Sequence, residues 1–253
     1  MEGAPKPESE IAALVAMVKR IRPDVLGVVE IGDETMLADF QGRLSAAGMD
    51  FSHSEWVASP ESGRHIALLS RFPIVARNSM PDVAFELDGR LQRMGRGILD
   101  ATLQVAPDYQ LRLVGVHLKS RRVVPAFDEK KFRAREAQLV RKHLDAIFKA
   151  APSVNLLLFG DLNDTKNESP VREIQGVAGS RTAMRDLPLR DAQGLVWTHF
   201  WQEADVYSRI DYLLASPGLW PELNLSRSGI GGGREWRRAS DHRPLYTTLR
   251  TSE

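Results

Sequence analysis

Four short stretches of the chain place acids, amides and imidazoles where they could act on a water molecule or hold a cation. Glu30 directly follows the apolar run Val25-Leu26-Gly27-Val28-Val29. Asp161 and Asn163 follow Leu157-Leu158-Phe159-Gly160, two residues apart, so in extended backbone their side chains fall on the same side. Asp211 is the one acid within Ile210-Asp211-Tyr212-Leu213-Leu214, where a buried carboxylate needs a partner because an unpaired one is costly. Asp241 and His242 are adjacent in Ser240-Asp241-His242-Arg243-Pro244-Leu245. Carboxylates and imidazole suit hard or borderline divalent cations and proton transfer near neutral pH. Each stretch also has a plainer reading. Glu30 could be a solvated strand end, Asp161 and Asn163 an Asx-turn, and Asp211 the ion-pair partner of Arg209.

Composition narrows the chemistry. The 253 residues contain no cysteine, which excludes disulfides, thiolate metal sites and a cysteine nucleophile. Lys and Arg total 34 against 33 Asp and Glu, a formal charge of +1, so any affinity for a polyanion must rest on local patches. With 43% hydrophobic residues the chain can bury a sizeable core, and one compact domain over residues 1–253 is the simplest reading. No apolar run reaches bilayer length and residues 1–7 do not read as a signal peptide, so a soluble protein is expected, its compartment undetermined.

The elements that must position these residues follow from periodicity. Ile11, Leu14, Val15, Val18 and Ile21 repeat at helical spacing over residues 8–22, ended by Pro23. Residues 25–29 read as a buried strand, residues 34–47 as a helix stopped at Gly48, and residues 66–70, 98–105 and 111–117 as strands. The longest helix is expected over residues 128–148, with Arg133, Arg135, Arg141 and Lys142 on a solvated face. Strands at 155–159, 209–215 and 245–249 complete the set. Short neighbouring strands mixed with helical crossovers predict an α+β fold of packed sheets covered by helices.

In this order, the strand ending in Glu30, Gly160-Asp161-Leu162-Asn163, Ile210-Asp211-Tyr212 and Ser240-Asp241-His242-Arg243-Pro244-Leu245 resemble the motif series of the endonuclease/exonuclease/phosphatase superfamily, the DNase I-like group. Ile66-Ala67-Leu68-Leu69-Ser70-Arg71-Phe72-Pro73-Ile74 and Val114-Gly115-Val116-His117-Leu118 fit it too. The resemblance covers residues 10–250. It implies a four-layer α/β/β/α sandwich with two packed mixed β-sheets flanked by helices, and a divalent-metal-dependent hydrolase of phosphate esters. A phosphodiesterase is the leading expectation, with nuclease activity as a further option.

The resemblance gives each residue a role. Glu30 and Asp241 become ligands of Mg2+ or Mn2+, with Ca2+ another candidate, since oxygen donors without thiolate favour hard cations. Asp211 orients His242, and either His242 or Asp161 serves as the base. Asn163 becomes an amide donor to a nonbridging phosphate oxygen, and His117 a donor to the phosphate or leaving group. Arg71, Arg96 and Lys119 are candidate phosphate ligands, whereas Arg121 and Arg122 read as a solvated rim. Residues 197–201, Trp-Thr-His-Phe-Trp, could stack a base or pack the core.

One departure stands out. The family's first strand, which ends in an Asn, has no counterpart, because no Asn precedes Asn78. The expectation is therefore a fold lacking its N-terminal strand, the gap filled by another chain, by rearranged N-terminal residues or by direct sheet closure, with a strand-exchanged homo-oligomer as one outcome. A weakened or inactive binding module is the alternative to an enzyme.

Overall fold

The computed structural model describes residues 6–61, 63–233 and 236–250. Its elements are α1 (Glu8–Ile21), β1 (Val25–Ile31), α2 (Glu34–Ala46), β2 (His53–Trp56), β3 (His65–Ser70), β4 (Ile74–Arg77), β5 (Ala84–Leu87), β6 (Arg90–Arg93), β7 (Ile98–Ala106) and β8 (Tyr109–His117). There follow α3 (Glu129–Ala150), β9 (Leu156–Asp161), α4 (Ser169–Gln175), β10 (Arg185–Asp186), β11 (His199–Trp201), β12 (Val206–Ser208), β13 (Asp211–Ala215), β14 (Leu223–Ile230), α5 (Trp236–Ala239) and β15 (Leu245–Leu249).

Strand alternation builds the layers. In β9, Leu156 and Leu158 join one core while Leu157 and Phe159 join another. The same split divides Val114 and Val116 from Leu111 and Leu113 in β8, and Tyr212 and Leu214 from Leu213 and Ala215 in β13. The first face is covered by Phe132, Val140, Leu144 and Ile147 of α3 with Val171 and Ile174 of α4. The second packs against Val25 and Val29 of β1 and Ile66 and Leu68 of β3. Those strands turn Leu26, Val28, Ala67 and Leu69 outward to Val18 of α1 and to Leu37, Phe40 and Leu44 of α2. Period-2 patterning on every central strand thus yields helix, sheet, sheet and helix layers.

The six-stranded sheet has the order β10-β13-β9-β8-β7-β4. Only β8 and β9 run parallel in it, because α3 carries the chain back between them. The facing layer comes in two pieces. It consists of antiparallel β1-β3-β2 and, separately, antiparallel β14-β15. The hairpins β5-β6 and β11-β12 lie outside both layers.

Gly27 belongs where the sheets come closest. A β-carbon there would collide with the ring of Phe159 from the other sheet, which also lies over its own sheet's Gly115. Two glycines therefore admit one phenyl ring between the layers.

Candidate active site

Three strands of the six-stranded sheet end side by side. His117 of β8 is the register partner of Asp161 in β9, and Asp161 is the register partner of Asp211 in β13. The row His117-Asp161-Asp211 is thus set by backbone pairing. Gly160 has φ +147, and a β-carbon on it would overlap the Val116 carbonyl, so only glycine lets β9 enter the row in this conformation.

Asp161 is buried, and its carboxylate is oriented by its own loop. Asn163 N–H donates to Asp161 Oδ1 at 2.7 Å and Asn163 Nδ2 donates to Oδ2 at 3.1 Å. The Asx-turn reading and the site reading are both realised, with Asn163 in the left-handed region at φ 52 that asparagine tolerates. Asn163 Nδ2 also donates to the Leu118 carbonyl at 2.9 Å. Both amide protons are therefore turned toward protein oxygens, and the side chain acts on Asp161. Burial, reinforced by the Asp211 carboxylate, pushes the Asp161 carboxyl well above its ordinary range.

Asp211 holds His242, with Nδ1 at 2.9 Å from Oδ2 and 3.1 Å from Oδ1. The bland alternative fails, because Arg209 instead donates to Asp186 at 2.6 Å. Burial opposes the imidazolium of His242, but the carboxylates of Asp211, Asp161 and Asp241 outweigh it and raise its pKa to about 10. His117 behaves oppositely. It is almost fully buried beside Arg96, both of which push its pKa well below 6.5, and its Nδ1 has no partner. Its Nε2 lies 3.6 Å from Asp161 Oδ2 and 3.9 Å from Glu30 Oε1.

Glu30 reaches the row from the other layer through a β-bulge. Val29 pairs with Ile66 and Ile31 with His65, which leaves Glu30 as the extra residue at φ 57. Bulges re-aim side chains, and this one turns the carboxylate toward His117 and Arg64, whose Nε is 3.8 Å away. Asp241 projects from the loop before β15, its side chain 70% exposed, with His199 Nε2 at 3.7 Å. The neighbouring His199 imidazole holds the Asp241 pKa down at about 2. Glu30 and Asp241 are thus two exposed carboxylates, the second accepting only a long hydrogen bond from Ser240 Oγ at 3.5 Å among the described residues, a donor set that fits a hard divalent cation. Two groups, His199-Asp241-His242 and Asp161-Asp211-His242, bring their potential ligand atoms within 4.8 Å of one another, and Glu30 belongs to neither.

The candidate phosphate ligands fare unevenly. Arg71 is not at the site. It adjoins Ser70, the partner of Val25, and pairs with Asp24 at 3.0 Å, five residues along β1 from Glu30, or roughly 17 Å in a strand. The antiparallel course of β3 puts it at the wrong end. Arg96 is 1% exposed and already committed, with Glu61 at 2.9 Å and the Leu118 carbonyl at 3.2 Å. It is a buried brace beside His117. Lys119 stays near the row, its N–H donating to Glu136 Oε2 at 2.6 Å and its Nζ to Ser120 Oγ at 3.2 Å.

Other arginines expected on solvated surfaces are structural. Arg133 is buried and pairs with buried Asp164 at 2.8 Å, and Arg121 also binds Asp164 and donates to the Asn163 carbonyl at 3.1 Å. Buried Arg141 reaches the carbonyls of Ile174 and Thr182 at 3.1 and 3.2 Å. Two site residues escape the sequence reading. His199 carries a signal only as an imidazole within the aromatic stretch, and Arg64 carries none.

The profile of the Endonuclease/Exonuclease/phosphatase family matches residues 3–242. The chain belongs to this family. It is accordingly a hydrolase of the phosphoester-cleaving type, and the acidic and histidine clusters described above could bind a metal. No curated protein matches it in sequence. Solved structures share its fold. An endonuclease/exonuclease/phosphatase from Bacteroides vulgatus is similar at TM-score 0.70 and 15% identity, covering 96% of this chain and 91% of that one. The human Nocturnin catalytic domain with bound sulfate gives 0.66 and 19%, covering 97% and 89%. Truncated Caenorhabditis elegans TDP2 gives 0.65 and 17%, covering 96% and 90%. Among the described residues no helix is long and apolar enough to cross a membrane.

Proposed function

We propose that the protein is a divalent-metal-dependent phosphodiesterase in which an activated water attacks phosphorus in line with the departing oxygen. The observation that carries this reading is the register row His117-Asp161-Asp211 with His242 held by Asp211. Asp161 is buried, raised in basicity and oriented by Asn163, which suits it to accept the proton of the attacking water. His242, kept protonated by three carboxylates, suits the charge that builds on the phosphoryl oxygens. The geometry therefore favours Asp161 over His242 as base. Neutral His117 stands beside both Asp161 and Glu30, at 3.6 and 3.9 Å.

Glu30 and Asp241 would hold the cation, Mg2+ or Mn2+ by their oxygen donors. When bound, it supplies Lewis-acid polarisation of a phosphoryl oxygen. The tip of the β11-β12 hairpin carries exposed Glu203 and Asp205, which would repel a long polyanion. That favours a compact phosphodiester over extended nucleic acid. The intact Asp211-His242 pair supports an enzyme rather than a binding module. Hydrolysis of bis-p-nitrophenyl phosphate with Mg2+ or Mn2+, abolished by a chelator, is the expected result. Turnover that ignores the chelator, or none with any cation, would overturn the reading.

A further inference from the structure

A nitrogen-rich donor set lies on the far flank of His242 from the strand row. β11 runs against the loop at residues 240–243, where Phe200 N–H donates to the Asp241 carbonyl at 3.1 Å and Arg243 N–H to the Thr198 carbonyl at 2.7 Å. His199 and His242 are the antiparallel bridge partners of this contact, and their ring centroids are 4.5 Å apart. Fully buried Thr198 anchors β11 by accepting the backbone N–H groups of Ile210 and Asp211 at 3.1 and 3.2 Å. His199 is therefore placed by backbone as firmly as His242.

In each imidazole Nδ1 already faces an oxygen. A ligating imidazole ordinarily donates its second ring N–H to an oxygen. His199 Nδ1 has Ser208 Oγ at 3.4 Å, and His242 Nδ1 has Asp211, which leaves Nε2 on each ring. His199 Nε2 already stands 3.7 Å from Asp241 Oδ2. In a tetrahedral zinc site with bonds of about 2.0–2.1 Å, donors lie roughly 3.3 Å apart, so modest rotation of the exposed Asp241 side chain closes the set. Two imidazoles and one carboxylate, open on the fourth side, are a borderline-soft set unlike the oxygen donors expected for Mg2+.

We propose that His199, Asp241 and His242 form a Zn2+ site, and that Zn2+ bound there inhibits hydrolysis by taking Asp241 and displacing the Nε2 proton of His242. The inhibitory half rests on the catalytic reading above, while the binding half does not.

The test is calorimetric titration of the chelator-stripped protein with Zn2+ in excess Mg2+, with the visible spectrum of added Co2+ as a second readout. One Zn2+ per chain is expected, with Co2+ showing the intense bands of a four-coordinate nitrogen-oxygen site. His199→Gln and His242→Gln should each weaken Zn2+ at least tenfold and remove those bands, whereas Glu30→Gln should leave both in place. Near-UV circular dichroism confirms folding, and Asp241→Asn, on an exposed side chain, serves if a histidine variant fails to fold. Zn2+ affinity unchanged by His199→Gln, or lost with Glu30→Gln, overturns the site. Should the wild type bind Zn2+ as expected yet hydrolyse phosphodiesters equally well with it, the inhibitory half falls. Absence of any hydrolysis would defeat the catalytic reading and leave the titration to decide the site.

Discussion

Asp161 and Asp211 stand directly opposite each other on β9 and β13, two carboxylates in one backbone register with His242 held by one and attracted by the other. Like charges so placed need a shared proton or cation. Burial and this pairing together raise Asp161, and the same carboxylates hold His242 protonated.

Asp161→Asn removes the proposed base and His242→Ala the proposed oxyanion partner. Each should lower kcat about 10²–10⁴-fold in steady-state kinetics, with near-UV circular dichroism confirming that the variant is folded. A near-normal rate in either variant would refute the assigned role.

The raised His242 pKa has a defined consequence for stability. A histidine raised above its unfolded value of about 6.5 contributes stability that is fully present below that pH and lost as pH rises through the folded value. Cation-free protein should therefore lose stability between about pH 6.5 and 10. Asp211→Asn should flatten this slope, read as urea midpoints across that range in chelator.

Arg71 and Arg64 separate family pattern from geometry. Arg71→Ala, remote from Glu30, should change kcat/KM by less than about twofold, as for a surface pair of small worth. Arg64→Ala, beside Glu30, should raise KM for a phosphodiester about tenfold. Equal effects would place substrate elsewhere.

Arg133→Met strands Asp164 in the interior with only the exposed Arg121 against it. Breaking a buried pair costs about 3–5 kcal/mol, so urea denaturation should show a loss of about 3 kcal/mol. A loss under about 1 kcal/mol would mean that Arg121 alone suffices.

Among the described residues, β1 pairs with β3 on one edge and with nothing on the other. An open apolar edge invites a strand from a second copy. Sedimentation equilibrium should show concentration-dependent dimerisation, and a monomer at every concentration would dismiss it.

The central layers were legible because period-2 apolar runs such as residues 156–159 announce buried strands, and α1 and α3 show their stripes. The acids and imidazole at the strand ends were legible as short motifs. What escaped was set by tertiary placement. Arg71 fits a motif, yet antiparallel pairing sends it to the far end of β1, and Arg133 and Arg141 sit on a helix face that reads as polar but is buried by pairing to Asp164 and to loop carbonyls. His199 enters the site through a cross-strand bridge to a residue 43 positions later, a separation that no local spacing reveals.

The loop that supplies Asp241 and His242 comes after fourteen of the fifteen strands, just after α5. During synthesis the sheet that bears His117, Asp161 and Asp211 can be complete while its imidazolium partner is still inside the ribosome. On the proposed assignment, a chain completed through β13 carries three members of the site and lacks the fourth, so its chemistry would begin only when the last loop docks.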